Sequence, residues 1–576
     1  MPSNAGAAEA FREIADLLDV LGERFKPEAY RRAARSIETL TEELAAVAAR
    51  DELRSIPGVG DAIAEKIREY LATGAIPYLE RLQHDVPAGV VAMMRLPGLG
   101  PKTARRFWVD LGIDGPSALA AAIDAGRLDG VKGFGPKKIA QVRSAVESAR
   151  TAPATGPGRT PIEEVYPVAE RIVRALRARA PADRVEAAGS FRRRRETVGD
   201  LDVLVSSTEP EAVFDAFSAL PEVREVRLRG GTKETVVLSS GLQVDLRVVE
   251  PAAFGAALQY FTGSKDHNVH LRSIARDRGL KVNEYGVYRG DERVAGRTEE
   301  DVYAALGLAW VPPELREDRG EVAAAARNAL PQLLLRPELR GDLHVHTRAS
   351  DGNDSLADMV SAARAAGLSY VAITDHSKHL GIVHGLDAGR LARQCDAIDA
   401  LNARTRGFTV LKGAEVDILA DGSLALPDSV LAQLDLVIVA VHSHFDLSEA
   451  KQTARVLRAL EHPYVTILAH PSGRLLGERE PYALDFERLL AAARARPCYL
   501  EVNGQPLRLD LDDVHVKAAI EHGVLLSLAS DAHSVAQFAN LDGAVRQARR
   551  GWARRADVLN TRPLAELRRL LRATRG

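Results

Sequence analysis

Residues 9–50 carry apolar side chains at helical spacing: Phe11, Ile14, Leu17, Leu18 and Leu21, then Tyr30, Ala33, Ala34 and Ile37. The spacing predicts two or more packed helices. Three short patterns of one kind then interrupt helical sequence: Ile56-Pro-Gly-Val-Gly, Leu96-Pro-Gly-Leu-Gly and Val131-Lys-Gly-Phe-Gly. Residues 151–161 are rich in Pro and Gly and read as a linker. Beyond it a helix is expected near 163–178, followed by strands alternating with helices to about residue 255. A helical, Arg-bearing stretch runs to about 310, and residues 320–334 again read as helical. From Arg340 onward strand and helix alternate, with strands at 342–346, 370–374, 409–417, 435–441, 464–469, 498–503 and 524–529. Seven strands separated by helices predict a parallel barrel. The resulting division is 1–85, 86–150, a linker at 151–161, 162–255, 256–318, a linker at 319–339, and 340–576.

Composition narrows this only a little. At 576 residues, 46% hydrophobic and 27% charged, the chain has the make-up of an ordinary multidomain protein. Its net charge is −2, but residues 101–200 hold 19 Lys and Arg against 12 Asp and Glu, which suits a phosphate-facing surface. Two cysteines, Cys395 and Cys498, lie far apart, so a disulfide framework is not expected. Residues 1–10 lack a signal-peptide pattern, and no apolar run reaches membrane-spanning length. A cytoplasmic protein without membrane contact is expected.

The chemistry starts in Gly189-Ser-Phe-Arg-Arg-Arg-Arg-Glu-Thr-Val-Gly-Asp-Leu-Asp. On a strand, residues i and i+2 share a face, so Asp200 and Asp202 project together. Adjacent carboxylates in an apolar strand require a cation, and hard oxygen ligands suit magnesium or manganese. Asp245, in Gln-Val-Asp-Leu-Arg-Val-Val, offers a third carboxylate. Three such groups can hold two metals roughly 4 Å apart for in-line displacement at phosphorus. Gly189 and Ser190 offer backbone N–H groups and a hydroxyl to a triphosphate, and Arg193 a guanidinium fork.

This run, with Asp245, resembles the palm of family X DNA polymerases, the group that includes DNA polymerase beta. Tyr260-Phe261-Thr262-Gly263-Ser264 resembles the family's element beside the sugar of the incoming nucleotide, and Asn283-Glu284-Tyr285 continues the likeness. The resemblance implies nucleotide contacts from Gly189, Ser190, Arg193, Gly199, Tyr260, Phe261, Gly263, Ser264, Lys265, Asn268 and Arg272. It also implies that Asp200 and Asp202 bind both metals and that Asp245 binds the catalytic one. Three positions depart from the pattern. Arg194 stands where DNA polymerase beta has glycine, Gln243 where animal relatives carry Arg, and Lys265 where an acidic residue is usual.

The three glycine patterns resemble helix-hairpin-helix units, which bring bare backbone N–H groups against DNA phosphates without reading bases. Gly58, Gly60, Gly98, Gly100, Gly133 and Gly135 form the turns, and Lys102, Lys137 and Lys138 follow them. Lys66, in Ile63-Ala-Glu-Lys-Ile, stands where the family's 5′-deoxyribose-phosphate lyases keep their Schiff-base nucleophile, with Tyr30 and Lys26 at matching positions. Ala62 replaces a second lysine, so two roles for Lys66 stay open: lyase nucleophile or phosphate contact.

Of the 15 histidines, 12 follow residue 340, and polar residues gather just past the strand ends. These are His344, His346, Asp351, His376, Glu415, His442, His470, Asp531 and His533. The C-terminal rim of a parallel barrel carries its active site. Nine His, Asp and Glu ligands there suit two to three zinc, manganese or iron ions. The motifs His-Val-His-Thr, Thr-Asp-His, His470-Pro and Ser-Asp-Ala-His resemble the PHP (polymerase and histidinol phosphatase) domain family. His379, His384 and His444 stand outside the expected shell, while Arg474 and Asn503 are candidates for substrate phosphate.

Taken together, the resemblances imply the bacterial or archaeal type of family X polymerase. Its parts would be helical helix-hairpin-helix domains (lyase-like, then fingers), an α+β nucleotidyltransferase palm with a thumb, and a distorted (β/α)7 PHP barrel. The implied work is filling short gaps in base-excision or break repair, using deoxynucleoside triphosphates on gapped or primed duplex DNA, with a PHP 3′–5′ exonuclease. A monomer is expected. Three other classes remain in view: nucleotide transfer to a small molecule or RNA, a PHP phosphoesterase that uses the polymerase-like core as a DNA clamp, and a non-catalytic scaffold.

Overall fold

The computed structural model describes residues 4–23, 26–38, 40, 44–94, 96, 99–128, 131, 134–135, 138–139, 142–143, 146, 159–378 and 384–575. The chain forms two compact units, residues 1–158 and 159–576.

In the first unit, helices Asn4–Leu21, Lys26–Glu38, Leu44–Ala49, Asp61–Thr73, Pro77–Asp85, Ala88–Met94, Pro101–Leu111 and Pro116–Asp124 surround one apolar core. Phe11, Ile14, Leu17, Leu18 and Ile37, the residues that set the helical spacing, are buried in it. Gly60 and Gly100 precede the helices at Asp61 and Pro101 in extended conformation. At Gly58 φ is +86°, and a Cβ would meet Arg32 Cγ at 2.7 Å, so the turn admits no side chain.

The second unit begins with helix Ile162–Arg179 against a five-stranded sheet. Its strands are β1 (Arg184–Ala187), β2 (Asp200–Ser206), β3 (Val223–Arg229), β4 (Lys233–Leu238) and β5 (Gln243–Val249), in the order β1-β2-β5-β4-β3. β2 and β5 are parallel, and Asp202 sits directly opposite Asp245. The following segment is not all-helical as the sequence suggested. Helices Phe254–Thr262, Lys265–Asp277 and Glu299–Ala305 are accompanied by a three-stranded antiparallel sheet of Lys281–Asn283, Gly286–Arg289 and Glu292–Ala295. Only Glu321–Ala326 is α-helical within 320–334. The chain then crosses to the barrel as a packed connection, with Leu334 N–H donating to Ala553 O and Arg340 N–H to Asn560 O.

The barrel's seven parallel strands follow in sequence order: Gly341–Asp342, Tyr370–Ile373, Thr409–Asp417, Leu436–Ala440, Ile467–Leu468, Tyr499–Asn503 and Leu526–Ala529. First and last edges meet through a parallel bridge between Val345 and Ala532 and through Ser530, whose hydroxyl and N–H both donate to the buried Asp342. Barrel and palm also pack together. Leu509, from a barrel loop, lies inside the palm's apolar core. Arg474 pairs with Glu196 at 2.7 Å, Arg549 with Glu314 at 2.9 Å, and Arg546 with Glu163.

Glu299 joins the palm loop to the thumb. It accepts from Arg192 at 2.7 and 2.9 Å and from the fully buried Arg316 at 2.6 Å. Burial alone would raise its pKa, but Arg316 and Arg192 hold it at about 2, below the ordinary 4.5. Its stabilising contribution is therefore complete above pH 4.5 and lost as pH falls toward 2. We expect Glu299→Gln to cost on the order of 3 kcal/mol near neutrality, because it leaves the buried Arg316 and the half-buried Arg192 without their carboxylate. We also expect its melting temperature to fall less than that of wild type as pH drops through this window. Parallel acid melting curves for the two proteins would refute the assignment.

Candidate active sites

The palm site is built by strand periodicity and register. Asp200 and Asp202 share one face of β2, and register brings Asp245 of the parallel neighbour β5 beside Asp202. The chain must also pass close above Asp202. At Gly189 φ is +63°, and a Cβ would lie 2.2 Å from Asp202 Oδ2, so only glycine allows this approach. Burial and the carboxylates of Asp200 and Asp245 push the Asp202 pKa up to about 7. Burial and Asp245 likewise raise that of Asp200. Such a cluster favours any divalent cation that relieves the repulsion. Asp245 is steadied from β4 by Lys233 Nζ and by the Thr235 hydroxyl at 2.8 Å, and from its own strand by Gln243 Nε2 at 3.2 Å.

Gly189–Arg192 forms one helical turn that carries Ser190 and ends at Arg193. Arg193 Nη1 donates to Thr262 O at 2.5 Å and its Nε to Glu317 at 3.1 Å. The same guanidinium lies 3.0 Å from the position a Cβ would take on Gly263, so the two expected nucleotide segments meet here. Tyr260 and Phe261 pack edge to face at 5.2 Å, and Arg247 covers Phe261 at 4.3 Å. Ser264 caps the next helix by accepting from His267 N–H at 3.2 Å. Lys265 and Arg272 are exposed on that helix, and Gly199 is exposed just before β2. Asn268 is buried instead. Its amide donates to Tyr260 O at 2.7 Å and accepts from Gln259 at 2.7 Å, so here it braces the Tyr260 corner.

At the barrel rim all nine expected ligands converge. His346, Asp351, His376 and His533 form one group, His344, His346 and Asp531 a second, and His376, Glu415 and His442 a third. Within each group the ligand atoms lie within 4.8 Å of one another. His470 joins through Glu415 at 3.0 Å. Glu415 is the hub, with His344, His376 and His442 within 3.3 Å of its oxygens as well. Burial alone would raise its pKa, and these imidazoles hold it well below the carboxylate range. The residues fit metal ions on a second ground. His344 Nε2, both nitrogens of His346 and His470 Nδ1 are buried without hydrogen-bond partners. Asp531 takes a positive φ of 51°, which Asp tolerates better than most residues.

In the first unit, Lys66 Nζ lies 4.9 Å over the Tyr78 ring, which stacks on Tyr30 at 6.2 Å, and it donates to Ala62 O at 3.1 Å. Lys26 is exposed and pairs with Glu23. Lys102 is exposed in the first turn of its helix, and Gly135 O accepts from Lys138 and Ile139 N–H. Gly98, Gly133, Lys137 and His379 lie outside the described residues.

Comparison with known proteins fits this layout part by part. Residues 2–76 match a helix-hairpin-helix domain and 91–148 a SAM-like helix-hairpin-helix tandem. Residues 159–240 match the DNA polymerase beta palm, 257–317 its thumb and 342–503 the PHP domain. The DNA polymerase/3′-5′ exonuclease PolX of Bacillus subtilis is 37% identical over 97% of this chain and 97% of its own length. The chain belongs to the PolX-type family X DNA polymerases. DNA polymerase lambda of Rattus norvegicus is 26% identical over 54% of the chain and 56% of its own length. A probable phosphatase of Caldanaerobacter subterraneus is 30% identical over 36% of the chain and 80% of its own length.

Within this PolX framework some expectations change. Arg474 does not face the rim; it is buried against Glu196 and Leu509 O. Asn503 lies at the rim, but donates to Asp531 at 3.0 Å and so orients a ligand. His384 and His444 join none of the ligand groups among the described residues. Arg194 keeps the left-handed conformation a glycine would take, with φ +61°, and its guanidinium donates to Tyr166 at 2.8 Å. Where relatives carry Arg, Gln243 contacts Asp245, and Lys233 brings the cation from the neighbouring strand. Sequence reasoning missed Lys233, Tyr78 and two outer carboxylates. Glu501 sits 2.7 Å from His344 Nδ1, and Asp417 2.8 Å from His442 Nδ1, which leaves each Nε2 facing the site. A signal existed: Asp417 follows the rim residue Glu415 by two positions on its strand, and Glu501 precedes the rim residue Asn503 by two on its own. We expect Asp417→Ala and Glu501→Ala to weaken metal binding about 10- to 100-fold. Metal content after dialysis against a graded chelator measures this, and wild-type retention would mean the carboxylates do not orient the ligands.

Proposed function

We propose that this chain fills short gaps in DNA at the palm and trims 3′ ends at the PHP rim. The observation that carries the reading is the convergence of Asp200, Asp202 and Asp245 beneath Gly189. A protein that used its palm only as a clamp would have no use for three carboxylates packed against their own repulsion. In this reading Ser190 and the Gly189 turn hold the triphosphate, with Arg193 supplying the guanidinium. Asp200 and Asp202 would hold two ions, magnesium or manganese, and Asp245 would hold the catalytic one and position the primer 3′-hydroxyl. Metal bound there would supply acidification of the attacking hydroxyl and charge neutralisation at the leaving pyrophosphate. Tyr260, Phe261, Gly263 and Ser264 line the sugar, Arg272 reaches the template side, and Lys265 adds a cation near the nucleotide. At the rim, the nine ligands hold two to three zinc, manganese or iron ions for phosphodiester hydrolysis. The hairpin glycines and Lys102 grip gapped or primed duplex without reading sequence. The protein works as a cytoplasmic monomer.

Primer extension on a one-nucleotide gap tests the reading together with 3′-end degradation. We expect Asp202→Ala to abolish extension and spare degradation, and His344→Ala or Asp531→Ala to do the reverse while lowering bound metal. Normal extension by a folded Asp202→Ala protein would remove the palm assignment. Lys66, held by Ala62 O and the Tyr78 ring, is proposed as a Schiff-base nucleophile for an abasic sugar, on its position after the first hairpin. We expect borohydride to trap wild-type protein on 5′-deoxyribose-phosphate DNA but not Lys66→Ala. Equal trapping would move the chemistry to another amine, and no trapping by either would leave Lys66 as a DNA contact.

A further inference from the structure

The helix Leu541–Arg550 follows the last barrel strand, yet its final residue reaches the palm's nucleotide loop. Arg550 has a side chain only 1% exposed. Its Nη1 donates to the backbone carbonyl of Arg193 at 2.7 Å and to Glu317 Oε1 at 3.1 Å. Its Nη2 donates to Asp513, which also accepts from Arg319. Glu317 Oε1 is the same oxygen that accepts from Arg193 Nε at 3.1 Å, and Arg195 lies 3.9 Å from its other oxygen. One carboxylate thus serves three guanidiniums, one of them from a residue 233 positions further along the chain.

This arrangement has a direct consequence for Arg193. A guanidinium that owned Glu317 alone would have its charge largely neutralised. Sharing the carboxylate with Arg550 leaves net positive charge at the loop. The contact to the Arg193 carbonyl adds a mechanical constraint, because Arg193 ends the single turn that begins at Gly189. Neighbouring contacts hold the helix against the palm. Arg546 pairs with Glu163 and covers the Tyr166 ring at 4.5 Å, and a Cβ on Gly543 would lie 3.5 Å from Glu163 Oε1.

We propose that Arg550 is a positioning residue of the nucleotide subsite. The PHP domain fixes Arg193, through its carbonyl and through Glu317, and thereby sets affinity for the incoming deoxynucleoside triphosphate. This rests on the reading of Arg193 as a triphosphate contact. Arg550 touches neither the nucleotide nor the rim ligands, so its loss should affect nucleotide binding and leave 3′-end trimming alone. The interaction is made in the ground-state complex, so the effect belongs in KM rather than kcat.

The test is steady-state gap filling by the full chain with a single deoxynucleoside triphosphate, beside 3′-end trimming by the same preparations. We expect Arg550→Ala to raise KM for the nucleotide about tenfold, the loss of a charge-assisted hydrogen bond, with kcat little changed. Trimming should run at the wild-type rate. Arg550→Lys, which keeps the buried charge but cannot serve Asp513, Glu317 and the Arg193 carbonyl together, should give a smaller rise. An Arg550→Ala protein that melts and trims like wild type but shows wild-type KM overturns the proposal. If Arg550→Ala does not fold, an unchanged KM in Arg550→Lys overturns it equally. Arg193→Ala separates the two levels. An unchanged KM there removes the triphosphate reading itself, whereas a raised KM there beside an unchanged Arg550→Ala removes only the role of Arg550.

Discussion

Charges of one sign cannot be gathered out of water unless the opposite sign comes with them. Three places in the second unit obey this constraint in three ways. In the palm, Asp200, Asp202 and Asp245 converge, and the protein supplies one partial answer, Lys233, leaving room for metal. At the barrel rim the opposite sign is built in, with Glu415 encircled by imidazoles, two of them held from behind by Glu501 and Asp417. Between them, Glu317 and Asp513 neutralise arginines contributed by both domains. The palm and the rim offer their spare donors to cations from outside, whereas the third draws both signs from the protein itself, with four guanidiniums sharing two carboxylates. A deficit of positive charge marks the palm site, and a surplus marks the contact between the domains.

Much of this was legible in the chain because it depends on short periods. Asp200 and Asp202 could be placed on one face from the two-residue repeat of a strand, and the rim ligands from their position after predicted strands. What was missed depends on register between strands. Lys233 meets Asp245 only because β4 and β5 run antiparallel with Thr235 opposite Asp245, which puts Lys233 two residues along on the same face. Glu501 lies 157 residues from the His344 it orients, on the one strand end that contributes no rim ligand. Arg474 was misplaced for a related reason. It follows His470 closely in sequence, and its partner Glu196 is 278 residues away. The thumb sheet escaped notice because its strands are three or four residues long and largely solvent-facing, too short for an alternating pattern to show.

Two of the departures from the family pattern also have physical explanations. A residue other than glycine at position 194 keeps the left-handed backbone, and its side chain is anchored by the Tyr166 hydroxyl and lies over the Tyr166 and Phe191 rings. The missing arginine at position 243 is answered from the adjacent strand by a lysine, a shorter and more strongly hydrated cation. The first keeps the backbone shape, and the second keeps a cation near Asp245 while altering which element supplies it.

Leu509 has a wider consequence. This residue belongs to a barrel loop but is 3% exposed, enclosed among the apolar side chains of the palm. A polypeptide ending before the barrel would open that seat to water, and a barrel alone would present a bare leucine beside Arg474 and Arg546 stripped of their carboxylate partners. Each half would then carry a sticky or charged scar suited to self-association. The polymerising and hydrolysing halves are therefore poor candidates for life as separate gene products, and recombination that split them would meet a solubility barrier before any question of catalysis arose.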